Sequence, residues 1–234
     1  MTSTVVIAGE GEYGSHQTMR QVADDLERVL AHKVTYCVPD VLDDVPEFPV
    51  SRIAGLEALE DAQLLVIYTR FRRLPDDEMS HVVDYVRRGA PVVGLRTSTH
   101  AFHYPPESPW SEWNERFGRE VLGSPWVRHH GHSSTTVVTR PAGLEHPVLE
   151  GLGTSFGSPS WLYHVKLEAG CDPLLHGEPR SPECPPEPGP VCWARDRGSG
   201  RVVYTSLGHP GDFEIPDFRR LLVNAARWCT DELS

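Results

Sequence analysis

Residues Pro91 to Phe102 read PVVGLRTSTHAF, an apolar run that turns through Arg96, Thr97 and Ser98 into a short polar stretch. A short apolar run bounded by a turn marks a buried strand, and a strand that breaks into a helix start presents unpaired backbone N–H groups at its carboxyl end. Ligands of open α/β sheets sit there. An acyl-transfer enzyme of this layout would place Cys or Ser at the elbow, between glycines. In Gly94-Leu95-Arg96-Thr97-Ser98 the central residue is arginine. Arginine cannot attack a carbonyl; it stays protonated and offers a rigid fork of donors, so the turn reads as one that holds oxygen atoms.

Upstream of this turn, Thr4 to Ala8 reads as a buried strand, followed by a helix with Met19, Val22, Leu26, Val29 and Leu30 at helical spacing. Lys33 to Val38 is the next strand, and a loop broken by Pro39, Pro46 and Pro49 leads to the strand Leu64 to Tyr68. Pro75 opens a helix that buries Met79, Val82, Val83 and Val86 and stops at Gly89. This β-α-β-β-α-β order predicts an α/β protein with a doubly wound, mostly parallel, flavodoxin-like sheet. Downstream, residues 103–132 form an aromatic and proline-rich excursion, read as a flap over the site, which contains Trp110, Trp113, Phe117 and Trp126 and ends in Arg128-His129-His130-Gly131-His132. Thr135 to Thr139 reads as a strand, Gly170 to Pro190 as an exposed loop, and Val191–Ala194 with Arg201–Ser206 as a hairpin turning at Arg197 to Gly200. A last helix starts at Pro216 and buries Phe218, Leu221, Leu222, Ala225 and Trp228. The whole chain, 1–234, is expected to be a single domain with an elaborated edge.

The net charge of −11, from 22 basic and 33 acidic residues, repels phosphate backbones and anionic lipid. Nucleic acid and membrane are therefore not expected partners. The basic residues are unevenly placed: Arg70, Arg72 and Arg73 follow one apolar run and Arg96 the next, which predicts a local oxygen-binding patch, unless some of them pair with surface Asp and Glu. The five cysteines are odd in number and lack a CxxC spacing, so neither a disulfide framework nor a zinc ribbon is suggested. With no basic leader and no long apolar run, the expected location is the cytoplasm. Homo-oligomerisation is left open.

Gly9-Glu10-Gly11-Glu12-Tyr13-Gly14 matches GxGxxG after a strand, but two carboxylates inside the loop would repel a pyrophosphate. Glu10 and Glu12 suit hydroxyl groups or a metal better, and a glycine loop that merely turns the chain is the plain alternative. His16, at the start of the following helix, would be kept neutral by the helix dipole. Gly208-His209-Pro210-Gly211-Asp212 follows a strand and offers a glycine-framed histidine with a carboxylate three residues on. The run His129 to His132, joined by His164, His100 or His16, would suffice for a divalent site of zinc or manganese, although no short zinc signature is present and no cofactor is required.

The glycine loop with His16, the VVGLRTSTHAF turn, the HGH element, EHPVLEGL at Glu145 to Leu152 and RVVYTSLGHPGDF together resemble the trehalose-utilization (ThuA-like) family, over nearly the whole chain. That resemblance implies the class I glutamine amidotransferase-like fold, with an active site at the strand carboxyl ends. His209-Pro210 looks like the His-Pro of the amidotransferase triad, but Gly211 stands where an acidic residue is expected and the elbow nucleophile is missing, so glutamine hydrolysis is not expected. Trp161-Leu162-Tyr163-His164 also departs from the Asp-Glu-Leu-Tyr frequent in the family.

The resemblance further implies a small carbohydrate substrate, such as a glycoside oxidised to a 3-keto sugar. The expected chemistry is proton transfer beside its carbonyl, of isomerase, epimerase or lyase type. His209 would be base or acid, His100 or His132 the complementary proton carrier, and Arg96 with the Thr97 N–H the oxyanion holder. Glu10, His16, Arg70, Trp161, His164 and Asp212 complete the expected substrate contacts, with Trp110 or Trp113 as further stacking candidates. A non-catalytic sugar-binding or interaction module, and a metal-dependent hydrolase, are the competing readings.

Overall fold

The apolar runs and amphipathic helices assemble into a nine-stranded sheet in the computed structural model, which describes residues 1–42, 50–131, 134–181, 187–198 and 200–232. The first half of the chain supplies β1 (Ser3–Gly9), α1 (Ser15–Leu30), β2 (Lys33–Cys37), β3 (Leu64–Thr69), α2 (Asp76–Arg87) and β4 (Val92–Leu95). Next come the short α3 (Trp113–Arg116), continued by a π-helical Phe117–Leu122, then β5 (Arg128–His129), β6 (Thr135–Thr139), β7 (Ser155–Ser158) and β8 (Tyr163–His164). β9 (Cys171–Arg180), β10 (Gly189–Asp196), β11 (Arg201–Thr205) and α4 (Pro216–Cys229) finish the fold.

The strand order is β2-β1-β3-β4-β11-β10-β9-β6-β7, with β5 and β8 as a separate two-stranded ribbon. Every pairing from β2 to β11 is parallel. Every pairing from β11 to β7 is antiparallel. The expected mostly parallel sheet is thus a mixed one, because the final parallel strand also turns back as a hairpin and recruits an antiparallel wing.

Strand alternation sends successive side chains to opposite faces. Val6, Ala8, Val66 and Val93 pack with Met19, Val22 and Leu26 of α1 and Phe218, Leu221 and Leu222 of α4. Val5, Ile7, Leu65 and Val92 pack on the other face with Met79, Val82 and Val86 of α2. The same second layer takes in Phe102, Tyr104, Trp113, Phe117, Val121 and Leu122. Burying each such side chain contributes about 1.5–3 kcal/mol, so most of the segment 103–132 is fastened to the sheet rather than hung over the site as a flap. Gly118 sits so close to the Arg96–His100 turn that a Cβ there would stand 2.2 Å from the Thr99 carbonyl oxygen.

β9 corrects the expectation of an exposed loop over 170–190 for Cys171–Arg180, while 182–186 lie outside the described residues. Proline cannot donate to a ladder and is confined to positions with one paired side. Pro173 lies opposite β10 beyond the reach of β6, and Pro179 lies opposite β6 beyond the reach of β10, so neither removes a bond that the sheet needs. No helix among the described residues is long and apolar enough to cross a membrane.

Candidate functional site

The carboxyl ends of β1, β3 and β4 converge on a cavity of about 230 Å³. Glu12 and Tyr13 reach it from the loop after β1, Arg70 and Phe71 from the end of β3, and Thr97 and His100 from the turn after β4. Trp126, His129, Trp161 and Tyr163 close it from the β5–β8 ribbon and its flanks. A larger cleft, about 620 Å³, runs between α1 and α4, away from the strand ends. Its central carboxylate, Asp25, is held by Arg28 and by a bidentate Arg219 at 2.6–2.9 Å, an internal charge network with its partners already in place.

The elbow after β4 is strained. Arg96 has φ +43°, where a side chain costs roughly 1–2 kcal/mol relative to the ordinary helical region. Neighbouring elements hold it there. The Tyr204 hydroxyl donates to the Arg96 carbonyl, Thr97 Oγ1 donates to the Thr69 carbonyl at 3.0 Å, and Ser98 Oγ donates to the Ile67 carbonyl at 2.9 Å. The Arg96 side chain is 0% exposed. Its Nη1 donates to the Ser206 carbonyl at 3.3 Å, while Nε and Nη2 have no hydrogen-bond partner. Three aromatic residues of the cavity stand over the guanidinium carbon, with ring centroids at 4.2 Å for Tyr13, 5.5 Å for Tyr163 and 5.7 Å for Trp161. Cation–π attraction offsets part of the desolvation of that charge. It does not replace the missing acceptors.

The second elbow, after β11, is tied to the first. Tyr68 of β3 donates its hydroxyl to the Gly208 carbonyl at 2.9 Å. Nδ1 of His209 accepts the Gly211 N–H at 3.2 Å, so in the neutral ring the proton is on Nε2 and His209 is a hydrogen-bond donor. Burial, and after it the Arg96 charge, lowers the His209 pKa. The ring lies edge-on to Tyr13 at 6.2 Å. Asp212, expected to touch substrate, is fully buried: it accepts the N–H groups of Gly208 and His209 and the hydroxyls of Ser158 and Ser160. Its work is to shape the His209 turn.

His100 lines the cavity between Phe71 and Trp126, with ring centroids 4.9 and 5.1 Å away. Burial, followed by the charges of Arg70, Arg96 and His129, lowers its pKa to about 3. Such a ring stays neutral and is a poor proton carrier near pH 7, against the role expected for it. His129 was overlooked as an individual, although it belongs to the HHGH run. It lines the cavity and its Nδ1 lies 2.7 Å from the His130 carbonyl. A carbonyl oxygen only accepts, so in the neutral ring Nδ1 carries the proton and Nε2 is the acceptor nitrogen. His132 lies outside the described residues.

Arg70 lines the cavity mouth and pairs with Glu12, with Glu10 Oε1 at 3.9 Å. Glu10 itself is buried, and its Oε2 accepts the Tyr13 N–H at 2.8 Å, which fixes the loop carrying that ring. His16 and His164 do not line the cavity. The former sits in the first turn of α1, where its carbonyl accepts the Tyr36 hydroxyl, and the latter faces away on the ribbon. Trp110 and Trp113 belong to the second packing layer. Arg72, another arginine of the expected patch, is spent on backbone: Nε donates to Gly9, Nη1 to Val41 and Nη2 to Leu42. Tyr13, Phe71 and Tyr163 were missed as site residues, because only the folded ribbon and loop show which aromatic residues converge.

A family model described as ThuA, trehalose utilisation, matches residues 4–229. Among solved structures, a putative ThuA-like protein from Parabacteroides merdae aligns with a TM-score of 0.68 at 18% identity, covering 99% of this chain and 90% of that one. A cytoplasmic protein from Salmonella typhimurium aligns at 0.54 and 13% identity, covering 99% and 98%. Agd3, a carbohydrate deacetylase, aligns at 0.54 and 11% identity over 99% of this chain and 32% of its own. These likenesses are likenesses of fold. No curated protein matches the sequence.

Proposed function

This chain belongs to the ThuA family of trehalose utilisation, and from that premise we propose that it is an enzyme acting on a carbonyl-bearing sugar by proton transfer next to the carbonyl. The observation that carries the reading is Arg96, a buried guanidinium with two unpartnered donor nitrogens at a strained strand end. A protein keeps such an unsatisfied charge at a cost of a few kcal/mol. A developing enediolate oxygen is the acceptor it lacks, and the low-dielectric setting strengthens that interaction. Nε2 of His129 takes the proton from carbon, and Nε2–H of His209 donates to oxygen. Reaching Arg96 and His209 requires the Tyr13 ring to move aside, and its loop carries Gly11 and the left-handed Gly14.

The small volume and the rings of Trp161, Tyr163 and Trp126 suit a single sugar ring, whose apolar face stacks on aromatic carbon. Isomerase, epimerase and lyase outcomes share this first step, and a 3-keto glycoside is the substrate class we favour. The order of the five parallel strands, β2-β1-β3-β4-β11, supports a flavodoxin-like, doubly wound reading of the sheet. The absence of a nucleophile at the elbow, with arginine in its place, argues against glutamine hydrolysis.

The test is NMR-monitored hydrogen–deuterium exchange beside the carbonyl of a panel of 3-keto glycosides in D₂O. Native protein is expected to catalyse exchange, with losses of about a hundredfold or more in Arg96→Met and about a hundredfold in His129→Gln. The aromatic walls also suit a sugar-binding module without chemistry. Tight binding with no exchange for any keto sugar establishes that second reading and ends the first.

A further inference from the structure

His129 and Tyr163, paired across the β5–β8 ribbon, both line the cavity. Alternation therefore turns their neighbours His130 and His164 to the opposite face. There the two imidazoles stack, with centroids 4.1 Å apart and planes at 22°. The Glu187 carboxylate joins them, and one ligand atom from each of the three residues lies within 4.8 Å of the others. His130 is fixed by its backbone, whose N–H donates to the Leu162 carbonyl at 2.9 Å. Glu187 is exposed and His164 half-buried.

We propose that His130, His164 and Glu187 form a binding site for a divalent transition-metal ion of the zinc class. Two imidazoles and one carboxylate are borderline ligands that suit zinc, whereas calcium and magnesium take oxygen ligands. Ligands about 2.1 Å from a tetrahedral ion stand about 3.4 Å from one another, so the cluster closes by at most about 1.4 Å, within reach of side-chain rotation at the half-buried His164 and the exposed Glu187. Water takes the fourth position from the solvent side. The ion joins the segment at Glu187 to the ribbon and stiffens the wall that presents His129 and Tyr163 to the cavity. This proposal does not rest on the sugar-enzyme reading.

The full chain, stripped with a chelator and dialysed, is titrated with zinc alone against a chromophoric competitor. One equivalent is expected to bind, with at least about tenfold weaker binding in His164→Asn and in Glu187→Gln, the lower bound set by what loss of an outer partner alone causes. His176→Asn, on β9 and outside the cluster, is expected to bind as the native chain does. Cobalt(II) in place of zinc is expected to give the visible absorption of a four-coordinate site in native protein and to lose it in both cluster variants. Both variants change side chains that are not fully buried, and unaltered circular dichroism checks their folding. Equal zinc affinity in native protein and both variants would place the ion on other histidines and overturn the proposal, as would less than one equivalent bound by the native chain.

Discussion

Two arginines stand just beyond the ends of adjacent parallel strands, Arg72 after β3 and Arg96 after β4, and both are buried, at 4% and 0% exposure. Their fates differ in where the donors go. Arg72 spends its fork on three backbone carbonyls and so pins the loop after β2 to the end of β1. Arg96 spends one nitrogen and holds two in reserve beneath aromatic rings. Burial and residue type are the same, so neither marks function by itself. What separates them is the unfilled hydrogen-bonding capacity of Arg96, on which its proposed role rests.

The largest expected effect that separates them is on stability. Arg72→Met removes three hydrogen bonds from a charged donor, although the Gly9 carbonyl keeps the Thr69 hydroxyl and the Val41 carbonyl keeps the Ser51 hydroxyl, and should cost about 3–5 kcal/mol in urea unfolding. A loss below about 1 kcal/mol would break the contrast. Arg96→Met removes a desolvated, under-bonded charge, so unfolding free energy should be unchanged or raised by up to about 2 kcal/mol, while exchange activity falls about a hundredfold or more. An Arg96 variant destabilised as much as the Arg72 variant would reduce both residues to scaffolding.

A smaller effect runs through His100. Its folded pKa is about 3 and an unfolded histidine titrates near 6.5, so the unfolded chain takes up the proton first. The stability His100 contributes is whole above about pH 6.5 and is lost as the pH falls toward 3, amounting to about 2 kcal/mol between pH 7.5 and pH 5. Urea melts at the two pH values should show that increment shrinking in His100→Phe. NMR titration should show the His100 pKa rising when Arg96 is replaced, since the Arg96 charge is among its causes. The smallest effect belongs to Arg70, 24% exposed and paired with Glu12 at the cavity mouth. Arg70→Gln should change stability by less than about 1 kcal/mol, and a larger loss would move Arg70 into the class of Arg72.

Elements whose local pattern agrees with the fold were legible in the sequence. The runs at Leu64 to Tyr68 and Pro91 to Leu95, the helix from Pro216 and the hairpin at Arg197 to Gly200 all appear where periodicity and turn residues put them. β9 was not legible, because Pro173, Gly177 and Pro179 read as loop until the staggered reach of its two neighbours is known. Residues 103–132 read as a flap because aromatic density looks the same whether it covers a ligand or packs on a sheet. Their places after strands or in a broken motif single out Thr97, His100, Arg70 and Trp161, which line the cavity, and Arg96, which lies behind its Tyr13, Tyr163 and Trp161 rings. Asp212 was misjudged, since a carboxylate near a histidine does not reveal that four donors already surround it. His129 was hidden among its neighbours, and the ribbon's alternation sorts His129 from His130.

The parallel pairing of β4 with β11 has a consequence during synthesis. Val92 to Leu95 must wait for Val202 to Thr205, the last strand to leave the ribosome. At about 5–20 residues per second the nascent chain spends on the order of 5 to 20 seconds with β2, β1, β3 and β4 made and the outer edge of β4 bare. A flat apolar edge in that interval invites pairing with another chain. The antiparallel wing hangs from β11, so it cannot dock any sooner. Shielding one short strand while residues 96–200 are being translated is therefore a demand that this strand order makes on the cell.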